Sequence, residues 1–306
     1  MTATIGIRVY RVEFRQRGTA KPLSFTSNLM EKHPKDFIEE FVKNNANIVN
    51  SKENERSWYF DRKEDPREGI RGYVRYGTYG FESNLVDTKT KKSNYRRKTT
   101  DVEEIPLYFE FWVPRNSQHC LAAFQSFQGR SCISLVAAKM KEDFERINQD
   151  CLINFKKVLP SDLKGSIFYS APIKKMTLIK NKSAVDPADK YLNRNRSEYI
   201  DIEMSLCARR KRDLGMLGDW QSKMPANTQG LIEYAGIEFD EAVAEVSIGN
   251  RRRRVGVFGH NSDAGVIDIT KDIDKGLDGH PTFLSIQRET TVILGEFYKI
   301  LSGGKK

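Results

Sequence analysis

The sequence predicts an α+β protein with mixed, largely antiparallel sheets, a few helices and two lobes. Three observations carry that expectation. Short runs rich in aromatic and β-branched residues recur along the chain with apolar and polar positions alternating, the pattern of half-buried strands. Three stretches instead space their apolar residues at the helical period, each with one face to bury. The dipeptide Gly249-Asn250 joins two of the strand-like runs and suits a tight hairpin turn. Aromatic residues make up 10% of the chain, which excludes a disordered polypeptide.

Taken in order, Ile5–Phe14 alternates and reads as a strand. Pro34–Val42 reads as a short helix, with Pro34 in its first turn and Phe37, Ile38 and Phe41 on one face. Ser57–Asp61 is a short aromatic strand. Arg71–Phe81 interleaves tyrosine and glycine and reads as a strand whose glycines admit close backbone approach. Asp87–Lys98 is a polar loop with no apolar period. Ile105–Val113 and His119–Phe127 are dense strands. Ser131 is the expected N-cap of a helix that aligns Ile133, Val136, Met140, Phe144 and Ile147. A strand at Cys151–Val158 completes a strand–helix–strand crossover.

The turn-rich Pro160–Gly165 places the lobe boundary, giving lobes 1–160 and 161–306. Beyond it, Ile173–Ile179 reads as a strand, Pro187–Asn193 as a helical turn or loop, and Tyr199–Cys207 as an alternating strand. Ala242–Ile248 and Val255–Phe258 form a hairpin across Gly249-Asn250, and Gly265–Thr270 adds a strand. The closing helix spans Pro281–Leu301, burying Phe283, Ile286, Ile293, Leu294, Phe297 and Leu301.

The net charge of +10 favours anionic partners: nucleic acid, acidic protein or lipid headgroups. Three basic clusters concentrate it, at Lys89–Lys98, Arg209–Arg212 and Arg251–Arg254. Arginine's planar fork suits bidentate contact with phosphate. The candidate nucleic-acid-binding residues are therefore Lys91, Lys92, Arg96, Arg97, Arg209, Arg210, Lys211, Arg212, Arg251, Arg252, Arg253 and Arg254. The strand period sends Arg251 and Arg253 to one face and Arg252 and Arg254 to the other, so at most two of these four face a ligand. The others are expected to meet acids such as Glu241 or Glu245, or to guard a sheet edge. Asp268, Asp272, Asp274 and Asp278 form an acidic string suited to balance the same hairpin.

No phosphate loop, dinucleotide fingerprint, nucleophile elbow or histidine metal motif is present, so no catalytic residue and no cofactor is assigned. His33, His119, His260 and His280 are scattered. Cys120, Cys132, Cys151 and Cys207 form no Cys-x-x-Cys pair, and three of them sit in apolar runs as small core residues. A reducing cytoplasm is the expected compartment, without a leader or membrane span.

Several segments, in order along the chain, resemble uncharacterised proteins of bacterial anti-phage defence loci. They are Arg71–Gly80, Glu104–Pro114, Phe124–Gly129, Gly249–Arg254, Ile267–Thr270 and Asp278–Pro281. The resemblance implies a mixed α/β, non-enzymatic or unassigned partner in a small multi-gene immune system; a protein partner from the same operon and a homo-oligomer are further expectations. The leading expectation is a defence component that binds DNA or RNA through its basic segments. A divergent nuclease or toxin, and a sensor or assembly subunit docking an acidic protein, stand as alternatives.

Overall fold

In the computed structural model, residues 4–52, 55–63, 69–158, 170–180, 202–222, 232–234, 237–239, 241–248, 251–258 and 265–301 are described. They form two units, each drawing on both ends of the sequence. The first comprises residues 10–156 with 274–288, the second residues 1–9, 157–273 and 289–306. The passage between them at Lys157 lies close to the expected boundary, but residues 1–9 and 274–288 each join the unit that their sequence position does not suggest. The α+β class holds, and the strand ladders with resolved register are antiparallel.

The first unit is built on β1 (Ile5–Gln16, from residue 10), α1 (Pro34–Asn44), β2 (Val49–Ser51), β3 (Arg56–Arg62), β4 (Ile70–Thr78), β5 (Ser83–Val86), β6 (Ser93–Arg97), β7 (Glu103–Trp112), β8 (His119–Phe127), α2 (Ile133–Ile147) and β9 (Cys151–Lys157). Its sheet order is β1-β8-β7-β4-β3-β2, and β9 also pairs with β1. That arrangement realises the expected crossover, since α2 links two neighbours of one strand. Alternate residues of β1, β3, β7 and β8, among them Val12, Phe14, Phe60, Phe109 and Phe124, are buried with Phe37 and Phe41 of α1 and Phe144 of α2. Phe144 meets Phe14 and Phe37 edge-on with ring centroids 5.0 and 5.1 Å apart, and Phe60 meets Phe109 at 4.8 Å. Such aromatic pairs add to the area they bury.

Local chemistry explains the boundaries. His33 caps α1, its Nδ1 accepting from Lys35 N at 3.1 Å. Ser131 does not cap α2: the helix begins at Ile133 behind Cys132, and no side chain serves as cap. Gly72 shows the close approach expected of this strand, because a Cβ there would collide with the Asp61 carbonyl oxygen. The tyrosines of β4 divide between faces: Tyr76 is buried in the core, whereas Tyr73 packs against Tyr108 and Phe283.

The second unit holds residues 5–9 of β1, β10 (Ile173–Lys180), β11 (Ile202–Cys207), α3 (Leu217–Ser222), β12 (Ile232–Tyr234), β13 (Ile237–Phe239), β14 (Glu241–Ile248), β15 (Arg251–Phe258), β16 (Val266–Asp268) and residues 289–301 of α4 (Phe283–Leu301). The sheet order is β11-β10-β14-β15-β16-β1. One face buries Ile5, Ile7, Met176, Leu178, Ala242, Ala244, Val246, Val255 and Ile267 together with Ile293, Leu294 and Phe297 of α4. Helix α4 starts two residues after Pro281, which forms a bridge with Lys275 instead of entering the first turn. The expected turns at Pro160–Gly165, Pro187–Asn193 and Gly249-Asn250 lie outside the described residues.

Candidate nucleic-acid interface

The four consecutive arginines occupy β15, where the alternation of a strand separates them. In the β14–β15 ladder Arg254 stands opposite Glu245, Arg253 opposite Val246, Arg252 opposite Ser247 and Arg251 opposite Ile248. Val246 belongs to the buried face, so Arg253 turns inward with it. Its side chain is 9% exposed; Nε lies 3.1 Å from Asp272 Oδ2, and an Nη donates to Glu289 Oε2 at 3.0 Å. Both carboxylates are 7% exposed. A buried guanidinium needs such partners, because desolvating an unpaired charge is costly. Arg253 is therefore a structural residue and leaves the set of candidate ligand contacts. The acid that answers it from the aspartate string is Asp272.

Arg252 and Arg254 project from the opposite face and are exposed. Arg252 lies 3.4 Å from Glu245 Oε1, an exposed pair that holds the side chain only weakly. Glu245 is one of the two acids expected beside this strand.

The second basic run joins the first through topology. Strand β11 ends at Cys207, opposite Lys175 of β10, and Lys175 in turn stands opposite Glu245. A single row therefore crosses four strands as Cys207, Lys175, Glu245 and Arg254. Just beyond Cys207 the chain makes an exposed turn over Arg209, Arg210, Lys211 and Arg212, closed by a bond from Arg212 N to Arg209 O at 2.9 Å. Lys174 donates from Nζ to Arg212 O at 2.9 Å and ties the turn to β10. The start of β15, with Arg251 and Arg252, reaches the same end of the sheet. Strands lie about 4.8 Å apart, so the two basic runs are separated by about 14 Å, three strand steps. Residues some forty apart in sequence are thus brought to one sheet end. Lys174 and Lys175 add positive charge there, and sequence reading did not single them out.

The third run lies on the first unit and is structured where a loop was expected. Residues 83–97 form a two-stranded ribbon, β5 against β6, separate from the main sheet. Asp87 shapes its tip: Oδ1 accepts from Lys89 N, Thr90 N and Thr90 Oγ1 at 3.0, 2.7 and 2.9 Å. These bonds, led by that from Thr90 N, hold the Asp87 carboxyl below its ordinary pKa. An aspartate opening a turn was a readable signal, masked by the surrounding lysines. Lys91, Lys92 and Arg96 are exposed. Arg97 is not: buried at the ribbon's root, it bonds the Thr78 and Asp101 carbonyls and lies over the Phe81 ring at 4.1 Å. It anchors the ribbon and is unavailable to a ligand.

A further charged group escaped sequence reading. On β1, Glu13 is 2% exposed and lies 2.9 Å from Arg11 Nε and 3.3 Å from Lys156 Nζ, with Arg15 also in contact. Burial raises its pKa, but the Arg15 hydrogen bond and the Arg11 and Lys156 charges overcome that and leave it lowered. Cys120, Cys132 and Cys151 are buried, and burial pushes the Cys132 thiol up to about 12. Among the described residues no three His, Cys, Asp or Glu side chains are placed to hold a metal ion. No described helix is long and apolar enough to cross a membrane. Neither protein-family models nor curated proteins give a match to this chain.

Proposed function

We propose that this chain is the nucleic-acid-binding component of a bacterial anti-phage defence system. The observation that supports this best is the convergence of Arg209–Arg212 and the outward arginines of β15 on one end of the second unit's sheet. Cations spaced over about 14 Å match several successive phosphates, since those of one strand recur every few ångströms. The flanking acid Glu245 lies beside Arg252 without burying it. The defence setting is supported by the sequence resemblance, and the absence of an assigned catalytic motif fits a binding role.

The test is a salt titration of nucleic-acid affinity. Replacing Arg209, Arg210, Arg212 and Arg252 with serine should weaken binding and reduce the slope of log K against log salt by about 3.6. Unchanged affinity and slope would refute this interface. Divalent-dependent cleavage by the purified protein would favour a nuclease instead. The defence role predicts that deleting the gene from its locus restores phage plaquing.

A further inference from the structure

The β5–β6 ribbon has features that a mere surface loop does not need. A two-stranded hairpin is marginally stable on its own, yet this one is fixed at both ends. Asp87 locks the tip with three hydrogen bonds, and backbone bonds join Asp87 N to Lys92 O and Lys91 N to Asp87 O, each at 2.9 Å. At the root, Arg97 is buried, Tyr95 donates its hydroxyl to Asp101, and Lys98 N donates to Asp101 Oδ2 at 2.8 Å. Between these fixed ends Leu85, Val86 and Tyr95 are each at least half exposed. The ribbon is a preorganised arm whose strands pair only with each other.

Its charge identifies the occupant. Residues 83–97 contain Lys89, Lys91, Lys92, Arg96 and Arg97 against Asp87 alone, five positive charges to one negative. Among the described residues, none of the three tip lysines is drawn into an ion pair. Asn84 and Arg96 stand directly opposite one another in the ladder and so share a face. Val86 lies on that face too, two residues from Asn84. Among the described residues, Arg96 pairs with the exposed Glu82, 2.9 Å away, a pair that a stronger acceptor displaces readily.

We infer that this ribbon is a duplex-DNA reading arm that enters the major groove. This rests on the nucleic-acid reading given above and specifies its substrate as B-form DNA. The major groove, about 12 Å wide, admits a two-stranded ribbon, whereas the major groove of A-form RNA is too narrow for side chains to read. Asparagine pairs with adenine edges and arginine with guanine edges, and an aliphatic side chain meets the thymine methyl. Asn84, Arg96 and Val86 supply those three chemistries on one face, while Lys89, Lys91 and Lys92 reach flanking phosphates from the tip.

The experiment compares the full chain with two ribbon variants on a DNA duplex, the corresponding single strand and an RNA duplex. The triple variant Lys89→Ser, Lys91→Ser, Lys92→Ser should bind the DNA duplex about tenfold or more weakly, with the salt slope lower by about 3. The double variant Asn84→Ala, Arg96→Ala should flatten preference in a randomised-duplex selection, with the salt slope lower by no more than about 1. An unchanged thermal midpoint shows that both variants fold. Equal losses on all three substrates, or ribbon variants that bind the DNA duplex like the parent, would overturn the groove assignment. In the latter case, loss of binding in the Arg209–Arg212 and Arg252 variant leaves the broader reading standing. If the parent chain binds none of the three substrates, both fall.

Discussion

Strand β15 and the β5–β6 ribbon are similarly basic in sequence and are built in opposite ways. In β15 the sheet decides which cation is free: Arg253 faces Asp272 and Glu289 in the interior, while Arg252 and Arg254 face out. In the ribbon, distance from the root decides it: Arg97 is buried at the base and Lys91 and Lys92 are exposed at the tip. A basic cluster is therefore not one surface. Each contains a cation that the fold consumes and others that it displays, and the two kinds respond differently to substitution.

The largest effect is expected at Arg253. Replacing it with serine removes a buried cation from beside Asp272 and Glu289, and breaking a buried pair in this way costs about 3–5 kcal/mol. Urea denaturation should show that loss, whereas Arg252→Ser should move stability by less than about 0.5 kcal/mol. Equal stabilities for the two variants would break the division between consumed and displayed arginines.

Arg97→Ala comes next. Losing its bonds to the Thr78 and Asp101 carbonyls and its stacking on Phe81 should cost about 1–3 kcal/mol, concentrated in the ribbon. Limited trypsin digestion should then cut at Lys89, Lys91 or Lys92 faster than in the parent. An unchanged cleavage rate would show that the tip turn alone holds the arm.

Glu13 sharpens the comparison by reversing it, since here three cations serve one buried carboxylate. Its folded pKa lies below the ordinary value of 4.5. Its ionised form therefore stabilises the fold above that pH, and the contribution fades as pH falls through the lowered pKa. Glu13→Gln should be less stable than the parent by about 1–3 kcal/mol at neutral pH, and the gap should narrow under acid. A gap independent of pH would mean that packing, not charge, sets the cost.

Much of this was legible in sequence wherever one face of an element is apolar. Periodicity placed α1, α2, α4 and most strands of the main sheet, because burial enforces it. Alternation alone also separates Arg253 from Arg252 and Arg254. The ribbon was not legible because neither of its faces is buried, so β5 and β6 carry no apolar alternation to read. The acidic string pointed to Asp272, but Glu289 as a second partner of Arg253 depends on the packing of α4, and the approach of Arg209–Arg212 to β15 depends on strand order. No local pattern encodes that order. Ser131 has the right chemistry for a cap, but the helix begins one residue too late to use it.

The division of β1 has a consequence for how the chain is completed. Residues 10–16 belong to a unit assembled largely from the first half of the sequence, while residues 5–9 pair with β16 through Gly6–Asp268, Ile7–Ile267 and Arg8–Val266. Residues 5–9 can close their ladder only once residues 266–268 are in place, and contacts so distant in sequence form slowly. Cutting the chain near residue 160 would separate residues 5–9 from β16 and residues 274–288 from the first unit. Neither half would contain all the parts of its own unit, so no single cut divides the chain into its two units.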